Sequence, residues 1–211
     1  LESMRNLAER YEGYGGSIRR VMEVRNCVPG IHGVVADLIS TTKKYETAIE
    51  TALGGSIQNI VTDSEETAKR LIEHLKKNRY GRATFLPLSS VRGRVLSAQE
   101  RQVLRMDGCV GLASELVQYD EKFRPVVENL LGRTVVARDL DAGIAIMRAG
   151  RHAFRLVTLE GDVMHSGGSM TGGSVNARST SILSRQREID EHRAAAKSLS
   201  EKLDALNKRV E

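Results

Sequence analysis

Apolar residues recur every seven positions near the carboxyl end, at Ile182, Ile189, Ala196, Leu203 and Val210, with Leu199 and Leu206 at the companion position three residues on. Glu, Lys and Arg fill most of the rest. A seven-residue apolar repeat keeps one seam along a helix, so this segment is predicted to be a coiled-coil strand. Arg185 and His192 occupy the companion position in its first two turns, which makes the seam weakest beside whatever precedes it. At the amino end, Met4, Leu7, Tyr11 and Tyr14 carry a shorter 3-4-3 spacing that stops among Gly13, Gly15 and Gly16. One helix therefore leads into the middle of the chain and another leads out. Domain termini often lie close together, so the two can pair antiparallel and the middle would cap a coiled coil. The alternative is a pair of unrelated surface helices docked on the domain.

The middle is written twice. Gly30-Ile31-His32-Gly33-Val34-Val35-Ala36-Asp37-Leu38-Ile39 is echoed by Gly108-Cys109-Val110-Gly111-Leu112-Ala113-Ser114-Glu115-Leu116-Val117, at an offset of 78 residues. The same offset carries Tyr45 onto Phe123, Ile49 onto Val127, Glu50 onto Glu128, Leu53 onto Leu131 and Gly54 onto Gly132. Each copy predicts an apolar segment bounded by glycine, a helix (45–53; 123–131), a β-rich segment (57–61; 134–137), a second helix (65–78; 141–149) and a further strand (83–86; 154–159). Asp63 or Ser64 caps the first of the later helices and Asp139 the second. The predicted architecture is α+β, in two similar mixed subdomains. Convergent helix–strand patterning is the alternative to a true repeat.

Before the carboxyl helix stands a glycine-rich string, Leu159 to Ser174, holding the pairs Gly167-Gly168 and Gly172-Gly173. Gly167, Gly172 and Ser174 have the spacing of a phosphate-cradling loop, but Gly173 stands where that loop needs its lysine, which argues against nucleotide hydrolysis. A flexible linker is the second alternative, and Val163, Met164 and Met170 within the string argue against it. Glycines in a strand pattern admit another backbone at close range, so the string is read as a surface for tight backbone packing.

Composition narrows the chemistry. The chain has 211 residues, 40% hydrophobic, with 32 Lys and Arg against 27 Asp and Glu, a net charge of +5. That mild excess permits a nucleic-acid partner without demanding one, and with 4% aromatic residues any such contact would be chiefly to phosphate. No apolar run approaches the roughly 20 residues of a membrane-spanning helix. The start at Leu1, without a charged and apolar leader, suggests a piece of a longer protein. Cys27 and Cys109 are too few for a disulfide framework or a zinc site and are expected to be buried thiols in a reducing compartment. His32, His74, His152, His165 and His192 are scattered, and neither a Gly-x-Ser-x-Gly elbow nor a suggestive Cys–His pair occurs, so no metal, cofactor or catalytic site is expected.

Three strings together carry a resemblance: Gly161-Asp162-Val163 through Gly167-Gly168-Ser169-Met170-Thr171-Gly172-Gly173, Gly81-Arg82-Ala83-Thr84-Phe85-Leu86-Pro87-Leu88, and Ala52-Leu53-Gly54-Gly55. The chain resembles the hinge domain of structural maintenance of chromosomes (SMC) proteins, especially the bacterial members, over about residues 17–180. The resemblance implies an amino-terminal arm stub (1–16), a first hinge subdomain (17–106), a second with the glycine stretch (107–180) and a carboxyl-terminal arm stub (181–211). It implies a homodimer that joins two coiled-coil arms into a V or ring. Gly167, Gly168, Gly172 and Gly173 would lie at the junctions with Gly161 supporting the strand before them, and the complementary patch would lie in the first subdomain.

It implies further a weak, non-specific, salt-sensitive contact with DNA, for which the candidate cations are Arg19, Arg20, Lys76, Lys77, Arg79, Arg82, Arg178, Arg185 and Arg187. Where several relatives carry a run of lysines after the last glycine pair, this chain has Ser174-Val175-Asn176-Ala177-Arg178. By the same resemblance the chain is non-enzymatic, the ATPase heads and the sites for accessory subunits lie elsewhere in a full-length protein, and the location is cytoplasmic and on the nucleoid. A nucleotide-binding α/β enzyme and a DNA-binding module with incidental self-association are the competing readings.

Overall fold

A computed structural model describes residues 13–173 and 181–210, with side chains up to residue 203. The incoming helix predicted from Met4, Leu7 and Tyr11 lies outside the described residues, as does Arg178. Helix α1 (Gly16–Glu23) opens the described chain and buries Ile18, Val21 and Met22. The first copy follows: strand β1 (Ile31–Val34), a one-turn helix α2 (Val35–Leu38), β2 (Ile39–Ser40), α3 (Glu46–Leu53), β3 (Ile60–Thr62), α4 (Glu65–Asn78) and β4 (Phe85–Pro87). The second runs β5 (Cys109–Leu112), β6 (Gln118–Tyr119), α5 (Arg124–Leu131), β7 (Thr134–Ala137), α6 (Leu140–Ala149) and β8 (Arg155–Thr158). It then continues into β9 (Val163–Met164) and β10 (Met170–Thr171) before the long helix α7 (Ile182–Val210).

The repeat is present in three dimensions. β1 and β5 each pair antiparallel with the next long strand of their own copy, β3 and β7, and both ladders are bulged at the same place, before Gly33 and Gly111. β3 and β4, like β7 and β8, are parallel and joined through a helix, as parallel neighbours require. The glycine that starts each copy is forced twice over. Gly30 (φ +97°) and Gly108 (φ +76°) are left-handed, and a Cβ would lie 2.5 Å from the Asp63 carboxylate in one copy and 2.3 Å from Ala142 Cβ in the other. The short strands β2 and β6 pair antiparallel across the copies, Ile39 opposite Tyr119, so the two halves are stitched at their midpoint.

The copies differ in how far their sheets extend. The first sheet has the order β1-β3-β4, the second β5-β7-β8-β9-β10. Both faces of the second sheet are buried. Val135, Ala137, Leu156 and Met164 face α6 in one apolar cluster, while Val136, Val157 and Val163 join a larger cluster shared with the first copy, including Ile49, Val61 and Val127. One core therefore runs through both halves.

Local capping follows the sequence chemistry. Ser64, not Asp63, accepts the Thr67 amide at the start of α4, and Asp139 accepts that of Ala142 at the start of α6. Two expectations are corrected. The β-rich segment placed at 57–61 begins only at Ile60, because Gly54–Gln58 winds into a 3₁₀ turn after α3. Cys27 is exposed rather than buried, lying on the irregular turns after α1, and Cys109 is partly buried; burial pushes the Cys109 thiol pKa up.

The segment between the copies is stapled to the second sheet by Glu100. Its carboxylate takes a fork of two bonds from Arg133 (2.7 and 3.0 Å) and the Ser97 amide (2.7 Å), and Arg133 also donates to the carbonyls of Val95 and Ala153. These bonds, the Arg133 fork first, hold the Glu100 carboxyl down to about 2 from an ordinary 4.5. Its contribution to stability is complete above the unfolded value and is lost as pH falls from 4.5 towards about 2. Glu100→Gln should be less stable than the parent at pH 7 by about 1–3 kcal/mol and should lose less on acidification, which urea midpoints measured from pH 7 to 2 will show.

Candidate interaction surface

The glycine string is a hairpin, β9–β10, at the outer edge of the five-stranded sheet. It is reached by a tight turn in which Gly161 donates to the Thr158 carbonyl (3.0 Å) and Thr158 to the Asp162 carbonyl (2.9 Å). Across the hairpin, His165 donates to the Ser169 carbonyl (2.8 Å), and Gly167 (φ +88°) and Gly168 (φ +101°) turn the chain between them. The Gly167 amide is anchored on the His152 carbonyl (3.1 Å). Gly172 has another duty: a Cβ there would lie 2.4 Å from Asp162 Oδ1, so the strand end passes directly over that carboxylate. Gly173 faces open space. Three of the four paired glycines thus have a role within their own chain, beyond the clearance for a second backbone that the sequence suggested. The arrangement also removes the basis for a phosphate loop, which needs the glycines between a strand and a helix N-terminus rather than in a hairpin.

Ladder alternation fixes which peptide groups point outward. On β10, Ser169 and Thr171 face β9, so the N–H and C=O groups of Met170 and Gly172 point away from the sheet. On β4, Thr84 and Leu88 bond to β3, through the Ile60 amide and the Thr62 carbonyl, so the groups of Ala83 and Phe85 point outward. Among the described residues nothing bonds to these outward groups. The other two edges have neighbours within the chain. Arg25 donates to the His32 carbonyl on β1 (2.7 Å), and the 3₁₀ turn Glu100–Arg105 packs on β5. In the first half the bare edge is therefore that of β4. Pro87, which has no amide hydrogen, ends that edge, a usual place for proline in a sheet.

The candidate cations fall into two groups. Arg19, Arg20, Lys76, Lys77, Arg79 and Arg82 are all exposed. α1 packs on α4, the Arg20 guanidinium lies 5.1 Å from the Tyr80 ring centre, and a Cβ on Gly81 would lie 2.7 Å from the Ser17 hydroxyl, so this group shares one corner. Arg20 also pairs with Glu23 (3.1 Å). The second group starts α7. Arg187 is turned inward, donating to Glu46 (2.6 Å), which is 7% exposed, and to Glu191 (2.9 Å). Arg185 lies beside Gly13, ahead of α1.

Arm attachment was missed in the sequence. Glu50 of α3 accepts the Ile182 amide (3.0 Å) and the Ser181 hydroxyl, and Ser181 accepts the Ser184 amide (3.1 Å), so a carboxylate and a hydroxyl together cap the positive end of α7. At the other end of α3, Arg155 of β8 donates to the carbonyls of Ala52 (2.7 Å) and Thr51 (3.3 Å); its burial lowers its pKa. Ser181 ahead of an apolar repeat was a readable cap signal, whereas nothing in the sequence joins Glu46 or Glu50 to residues more than 130 positions away. Further out, Leu199 and Leu203 of the heptad seam are 66% and 59% exposed.

Two repeated halves around one core, each sheet ending in a bare strand edge, define a repeated α+β domain at the root of a long helix. Comparisons agree. Residues 28–147 match the family described as SMC proteins flexible hinge domain. The chain is 43% identical over 90% of its length to the chromosome partition protein Smc of Halothermothrix orenii, and 42% identical over 95% to that of Bacillus subtilis. It spans 16% and 17% of the lengths of these relatives. The crystal structure of an asymmetric dimer of the Geobacillus stearothermophilus SMC hinge domain superposes with a TM-score of 0.86 at 42% identity, covering 98% of this chain and 83% of that one. For the Pyrococcus furiosus SMC hinge domain the TM-score is 0.66 at 32% identity, covering 82% and 87%. This chain belongs to the SMC hinge family, and it is a hinge domain of the chromosome partition Smc type.

The Glu46–Arg187 pair joins α7 to the body where solvent screens it least. Glu46→Ala removes the less exposed of the two carboxylates that hold Arg187 and should lower the urea midpoint by more than Glu191→Ala, which removes only the exposed partner. Urea unfolding of both variants beside the parent measures the difference.

Proposed function

We propose that this domain is the homodimerisation hinge of a chromosome-organising protein, in which β10 of each copy adds to β4 of the other. The single observation that carries this reading is the pair of uncovered strand edges, one in each half of the same chain. Two different patches meeting twice around a two-fold axis make a closed ring, with an arm leaving each subunit. The asymmetric dimer reported for the Geobacillus stearothermophilus hinge supports dimerisation here. In the full-length protein the arms would lead to ATPase heads and accessory subunits outside this chain, on the bacterial nucleoid in the cytoplasm, and the hinge itself would need no cofactor and perform no catalysis.

Weak, sequence-independent DNA contact completes the proposal. Its favoured location is the corner of Arg19, Arg20, Lys76, Lys77, Arg79 and Arg82, where the cations are exposed and close together; Arg187 is engaged by carboxylates. Phosphate contacts there release counterions and make binding steeply salt-dependent.

Sedimentation equilibrium across a dilution series should give a dimer mass that dissociates at low concentration. A monomer at high micromolar protein with the fold intact would overturn the reading. Arg19→Glu with Lys77→Glu should weaken DNA binding and lower the slope of log K against log salt by about 1 for each phosphate no longer neutralised, leaving the dimer mass unchanged. Fluorescence anisotropy with a labelled duplex at several salt concentrations provides the slope.

A further inference from the structure

The repeat itself specifies what sits beside β4. Gly33 pairs with Val61 in the first copy as Gly111 does with Val136 in the second, and these lead to Leu86 and Val157 respectively. Phe85 is therefore the counterpart of Leu156. The helix caps Ser64 and Asp139 align likewise, which makes Ala68 the counterpart of Gly143. In the second copy the place bounded by Leu156 and Gly143 is filled by Met164 from β9: it lies opposite Leu156 in the ladder, and a Cβ on Gly143 would be 3.0 Å from both side chains. In the first copy the corresponding place is an open groove of about 530 Å³ between α4 and β4, lined by Ala68, Ile72, Phe85 and Pro87 among others.

We infer that this groove is a socket for Met170 of a second copy, and that the methionine sets the register of the intersubunit sheet at Met170 opposite Phe85. The inference rests on the dimer reading above and specifies its contact. Met170 is 55% exposed. It lies opposite Met164, and residues directly opposed across a ladder share a face, so it points to the helix side of the sheet as Met164 does. The backbone chemistry fits the same register. Pairing Met170 with Phe85 antiparallel, as Met164 pairs with Leu156, places Gly172 opposite Ala83. All four residues have outward N–H and C=O groups, so both pairs exchange two hydrogen bonds. A shift by one residue would set inward groups against outward ones and turn Met170 to the other face. An unbranched thioether suits a groove whose floor is a ring and a small side chain.

Cysteine pairs read the register. In a background lacking Cys27 and Cys109, Thr84→Cys with Thr171→Cys places thiols at a non-hydrogen-bonded pair with Cα atoms about 4.5 Å apart, within disulfide reach. The inferred register predicts a covalent dimer under mild oxidation for this pair and none for Thr84→Cys with Ser169→Cys, because Ser169 would face Leu86. Met170→Ala, and Ile72→Glu from the socket side, should each weaken the dimer about 100-fold by sedimentation, counting one buried methionine at each of two junctions. Positions 72, 84, 169, 170 and 171 are exposed in the single chain, so the fold is retained, as circular dichroism will check. Crosslinking through Ser169 instead, or an unchanged dissociation constant for Met170→Ala, overturns the socket while leaving a dimer. A parent chain that never dimerises overturns the underlying reading instead.

Discussion

A peptide group at the rim of a β-sheet has one side bonded and the other facing water, and it gains most by meeting another strand. This molecule treats that constraint differently in its two halves. Both build the same ladder of an antiparallel pair followed by a parallel crossover. The second half then covers its last strand with a hairpin of its own chain, and the first leaves β4 bare. The hairpin also ends in bare peptide groups, so one chain carries both members of a complementary pair but cannot join them to each other within its own sheets. Under the proposed function, pairing between two copies resolves this.

Helix α3 lies where such a junction can be felt by the arms. Arg155, next to the Leu156 that packs beneath α6, caps the carbonyl end of α3, while Glu46 and Glu50 on the same helix hold the start of α7. The guanidinium lies at the negative end of a helix dipole and the carboxylates reach the positive end of another, each the favourable sense. Sheet, helix and arm are thus connected by charge-assisted bonds rather than by a flexible tether. Gly15, which donates to Gln58 just beyond α3, ties the incoming side to the same region.

Much of this was legible in the residues. The 78-residue echo located both copies, and α4 occupies the predicted 65–78. Glycine spacing flagged the string as a packing surface but neither its hairpin nor its inner duties: the clash awaiting a Cβ at Gly172 depends on Asp162 folding beneath it, which no local pattern encodes. The cations illustrate the same limit. Arg79 and Arg187 look alike as exposed helix-end arginines, but one caps α4 in solvent and the other is drawn onto Glu46 from 141 residues away.

By itself the sequence determined the repeat, the helices α3 to α7, the cap of α6 and the presence of a glycine-rich strand, because these depend on side-chain periodicity and on the allowed backbone angles of neighbouring residues. Only the tertiary structure decided which strand edges stay open and which arginines are held by internal carboxylates. Those outcomes depend on contacts between residues far apart in the chain, and a one-dimensional pattern carries no distance between them.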